Sequence, residues 1–126
     1  MVQESEFFDA KPNKVKIWEM CQVADGIVYL ARNEGKSVGF IAAVKQRYFF
    51  SDRERVTDMG FYVLPEYRGT SAAIRLIRAL EDWTKENNIT DLYLGQTTSV
   101  DIEKTSKFFN HLGYKTVGFN TVKHLH

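Results

Sequence analysis

Apolar residues along this chain follow two rhythms, short β-branched and aromatic runs and a three- and four-residue spacing. Met59 to Val63 belongs to the first kind and predicts a buried strand; Pro65 then removes a backbone donor and stops the ladder. From Ala73 the rhythm changes. Leu76, Ile77, Leu80 and Trp83 recur at helical spacing while Arg75, Arg78, Asp82 and Lys85 fall on the other side, which predicts a long amphipathic helix with one face on the sheet. Asn87-Asn88 suits its end, because Asn tolerates the left-handed conformation that closes many helices.

The remaining elements fall around this unit. Lys14 to Ala24 reads as a helix, with Ile17, Met20, Cys21 and Ala24 on one face, ended by Asp25-Gly26. Ile27 to Arg32 and Ser37 to Phe50 form a hairpin across the turn Asn33-Glu34-Gly35-Lys36, and Ser51 to Glu54 turns the chain into the next strand. The aromatic strand end Tyr48-Phe49-Phe50 is expected in the core. Beyond the long helix come a strand from Asp91 to Gln96 and a second amphipathic helix from Asp101 to Leu112. That helix turns Ile102, Thr105, Phe108, Phe109 and Leu112 inward and stops at Gly113; strands at Tyr114 to Phe119 and Thr121 to Leu125 follow. The order is that of an α/β layer fold, and the helical crossover implies at least one parallel strand pair.

Length and composition narrow the classes. The 126 residues suit one domain, 1–126, and 44% hydrophobic content is enough for a core. Seventeen basic and sixteen acidic side chains leave a net charge of +1, so neither nucleic acid nor an anionic membrane is an expected partner. A single cysteine, Cys21, forbids an internal disulfide and fits a reduced setting. The acidic start lacks a secretory signal, and the longest apolar run, Val38 to Val44, is short against the ~20 residues of a membrane span. A soluble, cytoplasmic protein is expected. The three histidines and one cysteine lack ligand spacing, so no metal is expected.

The chemistry concentrates in the loop from Arg68 to Ala73. Gly69, Thr70, Ser71, Ala72 and Ala73 are all small, so another molecule can approach the backbone closely. A helix N-terminus adds unpaired amides and about half a positive charge, and Arg68 adds a full one; together they suit a phosphate. The loops GxxxxGK[ST] and GxGxxG are absent, which argues against a nucleotide triphosphatase.

Val63-Leu64-Pro65-Glu66-Tyr67-Arg68 followed by Gly69 to Ala73 resembles the acetyl-CoA motif of the GNAT superfamily of N-acetyltransferases. There a strand ending V-x-P-x-x-R leads into Q/R-x-x-G-x-G/A; Ser71 stands at a usual glycine. Phe108-Phe109-Asn110-His111-Leu112-Gly113-Tyr114 is similar to the family's F-Y-x-x-L-G-F ending, and Gln96-Thr97-Thr98 is similar to small GNAT-like proteins of phages. The resemblance, from about Lys14 onward, implies a GNAT-like mixed, mostly antiparallel central sheet flanked by helices, N-terminally short by a strand and a helix.

It also implies direct transfer of acetyl from acetyl-CoA to an amine, without a metal. Phe61, Tyr62 and Val63 would pair with the pantetheine arm, and Arg68, Gly69, Thr70, Ser71, Ala72 and Ala73 would hold the pyrophosphate. Asp58 stands near the family's base, with Glu66 and Glu54 as competitors and a solvated strand end as its plain alternative. Phe109 occupies the position of the usual tyrosine acid. Tyr62 is the substitute carried forward, beside Tyr67, Tyr114, His111 and water; their plainer roles are in the sheet, in the loop and at a helix end. The alternative to an enzyme is a non-catalytic GNAT-fold module that binds acyl-CoA or protein, and a homodimeric contact stays open.

Overall fold

The structure, a computed structural model, describes residues 25–68, 71–95, 102–118 and 121–125, with side chains in the last helix from Ser106 onward. The helix expected over Lys14 to Ala24, the loop residues Gly69 and Thr70, and the motif Gln96-Thr97-Thr98 lie outside the described residues.

Three long strands, β1 (Gly26–Asn33), β2 (Lys36–Arg47) and β3 (Glu54–Val63), form an antiparallel meander. The β1–β2 turn places Glu34 and Gly35 at φ +52° and +80°, the left-handed conformation that tight hairpins demand. After β3 a 3-10 turn at Pro65–Tyr67 delivers the chain into helix α1 (Ala72–Glu86). Asn88 at φ +59° ends α1 as its side chain type permits, and β4 (Leu92–Tyr93) then pairs parallel to β3. The sheet order is β1-β2-β3-β4, a mixed and mostly antiparallel sheet with helices against it. Helix α2 (Ile102–His111) closes with Gly113 at φ +98°. No helix among the described residues is long and apolar enough to cross a membrane.

Both sheet faces are apolar. Ile27, Ile41, Val56, Phe61 and Val63 meet Leu76, Ile77 and Leu80 of α1, with Phe108, Phe109 and Leu112 packed at the margin. Val28, Phe40 and Ala42 gather on the opposite face with Leu30 and Tyr62.

Three expectations need correction. β4 is two residues long where Asp91 to Gln96 was expected, and residues 114–118 and 121–125 form no strand where two were expected. A strand needs a ladder to join, and β4 offers only a two-residue stretch. Val117, Val122 and Leu125 stand exposed as a result. Phe49 and Phe50 are 100% and 84% exposed, so the aromatic strand end is not core. The β2–β3 ladder stops at Arg47↔Glu54, and the described residues offer no sheet face beyond it. Tyr48 alone turns back; its hydroxyl donates to Asp91 and lies 3.2 Å from that of Tyr93, while Arg53 pairs with Asp91 at 2.9 Å. The hydrogen bond to Asp91 pushes the Tyr48 phenol well above its ordinary value.

Candidate functional site

β3 organises the site through an irregularity that the sequence does not announce. Its register against β2 runs Ala42↔Gly60 and then Ala43↔Asp58, so Met59 is an extra residue, a bulge. Strand side chains alternate between faces, and one inserted residue shifts the phase by one. Val56 and Asp58 before the bulge therefore share a face with Phe61 and Val63 after it, and all four are buried. Gly60 and Tyr62 take the other face; Met59 is partly exposed rather than part of a uniformly buried run.

The bulge coincides with the parting of two strands. β4 pairs with β3 only at Val56↔Leu92 and Thr57↔Tyr93, so from Asp58 onward β3 has no described strand on that side. Leu64 N donates to Val38 O at 2.8 Å, which fixes the alternation of the β2–β3 ladder. By that alternation the backbone groups of Phe61 and Val63 face away from β2, toward the gap left by β4.

Asp58 sits where the strands part. It is 2% exposed, which removes the solvated strand end as an account of it, and its Oδ1 accepts the amide of Gly95 at 3.0 Å. Sequence reasoning missed Gly95; its only signal was a glycine closing the apolar run Leu92-Tyr93-Leu94. Glu54 and Glu66 are exposed, at the start of β3 and in the 3-10 turn.

At the far end of β3, Arg68 folds back. Its Nε donates to Val63 O at 2.8 Å and its guanidinium lies 5.2 Å from the centre of the Tyr62 ring. Arg68 is thus fastened to the strand end while keeping its charge. Ser71 holds the N-cap position of α1, although its hydroxyl makes no capping bond. The helix ladder begins with Arg75 N to Ser71 O at 3.0 Å, so the amides of Ala73 and Ile74 stand ahead of it. The edge of β3 and the N-terminus of α1 each offer backbone groups, with small side chains at Ser71, Ala72 and Ala73. Such groups can pair with an extended polar chain and hold an anion.

The aromatic candidates are distributed unevenly. Phe109 packs among Phe61, Phe108 and Tyr114, with ring centres 6.3, 5.7 and 6.0 Å away. Tyr62 lies on the sheet face opposite Asp58, so β3 does not bring those two side chains together. The Tyr114 hydroxyl donates to Glu81 at 2.6 Å; burial, then that bond, push its phenol well above the ordinary value. Tyr67 reaches the end of β1, where Asn33 Nδ2 donates to its hydroxyl at 3.3 Å. His111 is exposed in the last turn of α2. Among the described residues no group of three or more His, Cys, Asp or Glu side chains is arranged to hold a metal ion.

Comparison with known proteins agrees with this geometry. The profile of the Acetyltransferase (GNAT) family matches residues 2–114. A protein of Archaeoglobus fulgidus described as an uncharacterized N-acetyltransferase is 28% identical over 83 residues, covering 64% of this chain and 56% of its own length. The chain thus spans little more than half of that relative. A Trypanosoma brucei acetyltransferase superposes with TM-score 0.71 at 21% identity, over 89% of this chain and 78% of its own. The structure of AAC(6')-Iy in complex with the bisubstrate analog CoA-S-monomethyl-acetylneamine superposes with TM-score 0.68 at 21% identity, over 90% and 79%. At these identities the structural matches speak for the fold.

Proposed function

The chain belongs to the acetyltransferase (GNAT) family, and from that premise we propose that it is an N-acetyltransferase that moves acetyl directly from acetyl-CoA to an amine. The observation that carries the reading is the parting of β4 from β3 after Thr57, beside a strand edge that leads into the N-terminus of α1. The backbone of Phe61, Tyr62 and Val63 would run beside the pantetheine arm, with the outward groups of Phe61 and the Val63 amide as partners, the Val63 carbonyl already accepting from Arg68. The loop from Arg68 to Ala73 would hold the pyrophosphate through amides beyond Arg68, whose own N–H donates to Pro65 O at 3.2 Å. A CoA-derived analog in AAC(6')-Iy, a protein of similar fold, supports the choice of cofactor. The proposed setting is the cytoplasm.

In the reaction the amine nitrogen attacks the thioester carbonyl carbon, a C–N bond forms and the C–S bond breaks. Asp58, buried where the strands part, is proposed to take the ammonium proton, through water where the amine does not reach it. The leaving thiolate needs little assistance, since a thiol of this kind has a pKa near that of cysteine, about 8.5. Solvent supplies its proton, with Tyr62 as the side-chain alternative.

A second reading, a non-catalytic module on the same fold, is favoured by Phe109 at the position of the family's tyrosine. A phenyl ring packed among Phe61, Phe108 and Tyr114 donates no proton. Two measurements separate the readings. Coenzyme A at a hundred times its dissociation constant should add about 2.7 kcal/mol to stability; a melt unmoved at millimolar CoA overturns the cofactor site. Acetyl transfer is then assayed for the wild type and Phe109→Tyr across protein N-termini, lysine, polyamines and aminoglycosides. Transfer by the wild type, kept or raised by the new hydroxyl, supports the enzyme. Silence from both forms in the presence of proven CoA binding selects the module.

A further inference from the structure

The β2–β3 hairpin ends in a tip that the fold does not use. Its ladder stops at Arg47↔Glu54, and the chain between them turns over Phe49 and Phe50, which stand almost wholly in solvent. Phe50 leans on the ring of Tyr48, with centres 6.0 Å apart, and Phe49 projects clear of the protein. Two adjacent phenyl rings on a hairpin tip make an apolar patch of the kind that marks an interaction surface. The tip adjoins the start of β3, the opposite end from Val63 and Arg68, so a partner seated there leaves the gap between β3 and β4 uncovered.

Charge narrows the partner. The tip carries Arg47, Arg53 and Arg55 against Asp52, Glu54 and Asp91, three of each sign. Arg53 is committed to Asp91 at 2.9 Å, and Arg55 to Gln46 at 3.0 Å and to the Tyr93 ring, 4.5 Å from its centre. Arg47 and Asp52 approach only to 3.8 Å with side chains 71% and 102% exposed, so their pair contributes little and both keep hydrogen-bonding capacity toward a neighbour. A balanced patch has little attraction for an anionic membrane or nucleic acid, but it complements itself. About a two-fold axis, Arg47 of one copy meets Asp52 of the other while Asp52 of the first meets Arg47 of the second. We propose that the tip is a self-association surface: two copies of this chain pair there, with four phenyl rings packed together and the Arg47–Asp52 pairs exchanged between copies. Area sets the strength. A phenylalanine buries about 150–250 Å², so four rings supply about 600–1,000 Å², at the low end for a specific interface. The dimer is therefore weak and reversible, with a Kd of roughly 10–100 µM.

Sedimentation equilibrium of the full chain, at concentrations bracketing that Kd, tests the proposal. The wild type should pass from monomer to dimer. The double variant Phe49→Ser, Phe50→Ser should stay monomeric and keep its melting temperature at low concentration, since neither ring is packed in the core. Arg47→Glu and Asp52→Arg each set like charges opposite one another in a two-fold contact, so each alone should raise the Kd by about tenfold or more. Mixed one to one, these two variants should pair as the wild type does. The introduced carboxylate then faces the introduced guanidinium on one side of the axis, and the native pair is kept on the other. A dimer indifferent to the loss of both rings, or a mixture that fails to recover, overturns the proposal. So does a wild type that stays monomeric; if that monomer sediments with phosphatidylcholine vesicles only while both rings are present, the tip belongs to a lipid surface instead.

Discussion

The meander β1–β3 with α1 and the C-terminal third from β4 onward are built from sequences of similar character, yet their described residues pair into ladders of very different extent. In the first, ladders run eight pairs between β1 and β2 and nine between β2 and β3, and Ile41, Val56 and Leu80 are fully buried. In the second, the β3–β4 ladder has two pairs and the β-branched residues Val117 and Val122 lie exposed. The difference shows that alternation and β-propensity select a strand only when a partner edge and a covered face exist. Where strands part to leave a gap, the following segment loses that template. The same parting creates the candidate site.

The largest contrast should come from apolar truncation. Leu80→Ala removes a fully buried side chain from the interface of α1 with the sheet and should cost about 2–5 kcal/mol. Val122→Ala should stay within about 0.5 kcal/mol because that side chain is 80% exposed. Urea unfolding of both variants checks the pair, and a comparable loss for Val122→Ala would show that the C-terminal segment packs in solution.

Glycines sharpen the comparison. A Cβ on Gly39 would sit 2.8 Å from the Tyr62 carbonyl oxygen, so the β2–β3 ladder must shift to admit it; one on Gly118 would meet nothing within 4 Å. Gly39→Ala should cost about 1–3 kcal/mol, and Gly118→Ala should be near neutral. Thermal melts of the two variants decide this.

Asp58 bridges the two regions at the point of parting. Asp58→Ala leaves the Gly95 amide without its carboxylate and should cost about 1–3 kcal/mol, whereas Asp58→Asn retains an acceptor for it. The proposed base role adds a second readout, because Asp58→Asn should fold nearly as well as the wild type yet lose acetyl transfer at neutral pH. Retained transfer would leave Asp58 a structural role alone.

What the sequence made legible follows the same division. β1, the body of β2, the end of β3 and α1 could be placed because period, turn residues and Pro65 all agree locally. The bulge at Met59 was hidden, since an inserted residue in an apolar run leaves the composition unchanged and moves only the phase. Phe49 and Phe50 were misplaced because hydrophobicity was read without knowing where the ladder stops. The Gly95 amide reaches Asp58 through a contact distant in sequence, which no local pattern encodes.

The smallest effect concerns Tyr114, whose hydroxyl joins the C-terminal segment to Glu81 of α1. Tyr114→Phe removes one hydrogen bond from a half-buried ring and should cost about 1 kcal/mol at pH 8. The sign of its pH dependence follows from the raised phenol pKa, caused first by burial and then by the bond to Glu81. The folded state holds the proton more tightly than the unfolded chain, where tyrosine titrates near 10. The stabilisation is therefore complete below about pH 10 and is lost as pH rises toward the folded value. Phenylalanine lacks this titration, so the gap between wild type and Tyr114→Phe should narrow above pH 10. Denaturant unfolding at pH 8 and pH 10.5 measures it, and a gap that stays constant or widens would mean that Tyr114 does not bind Glu81 and that the tail is detached from α1.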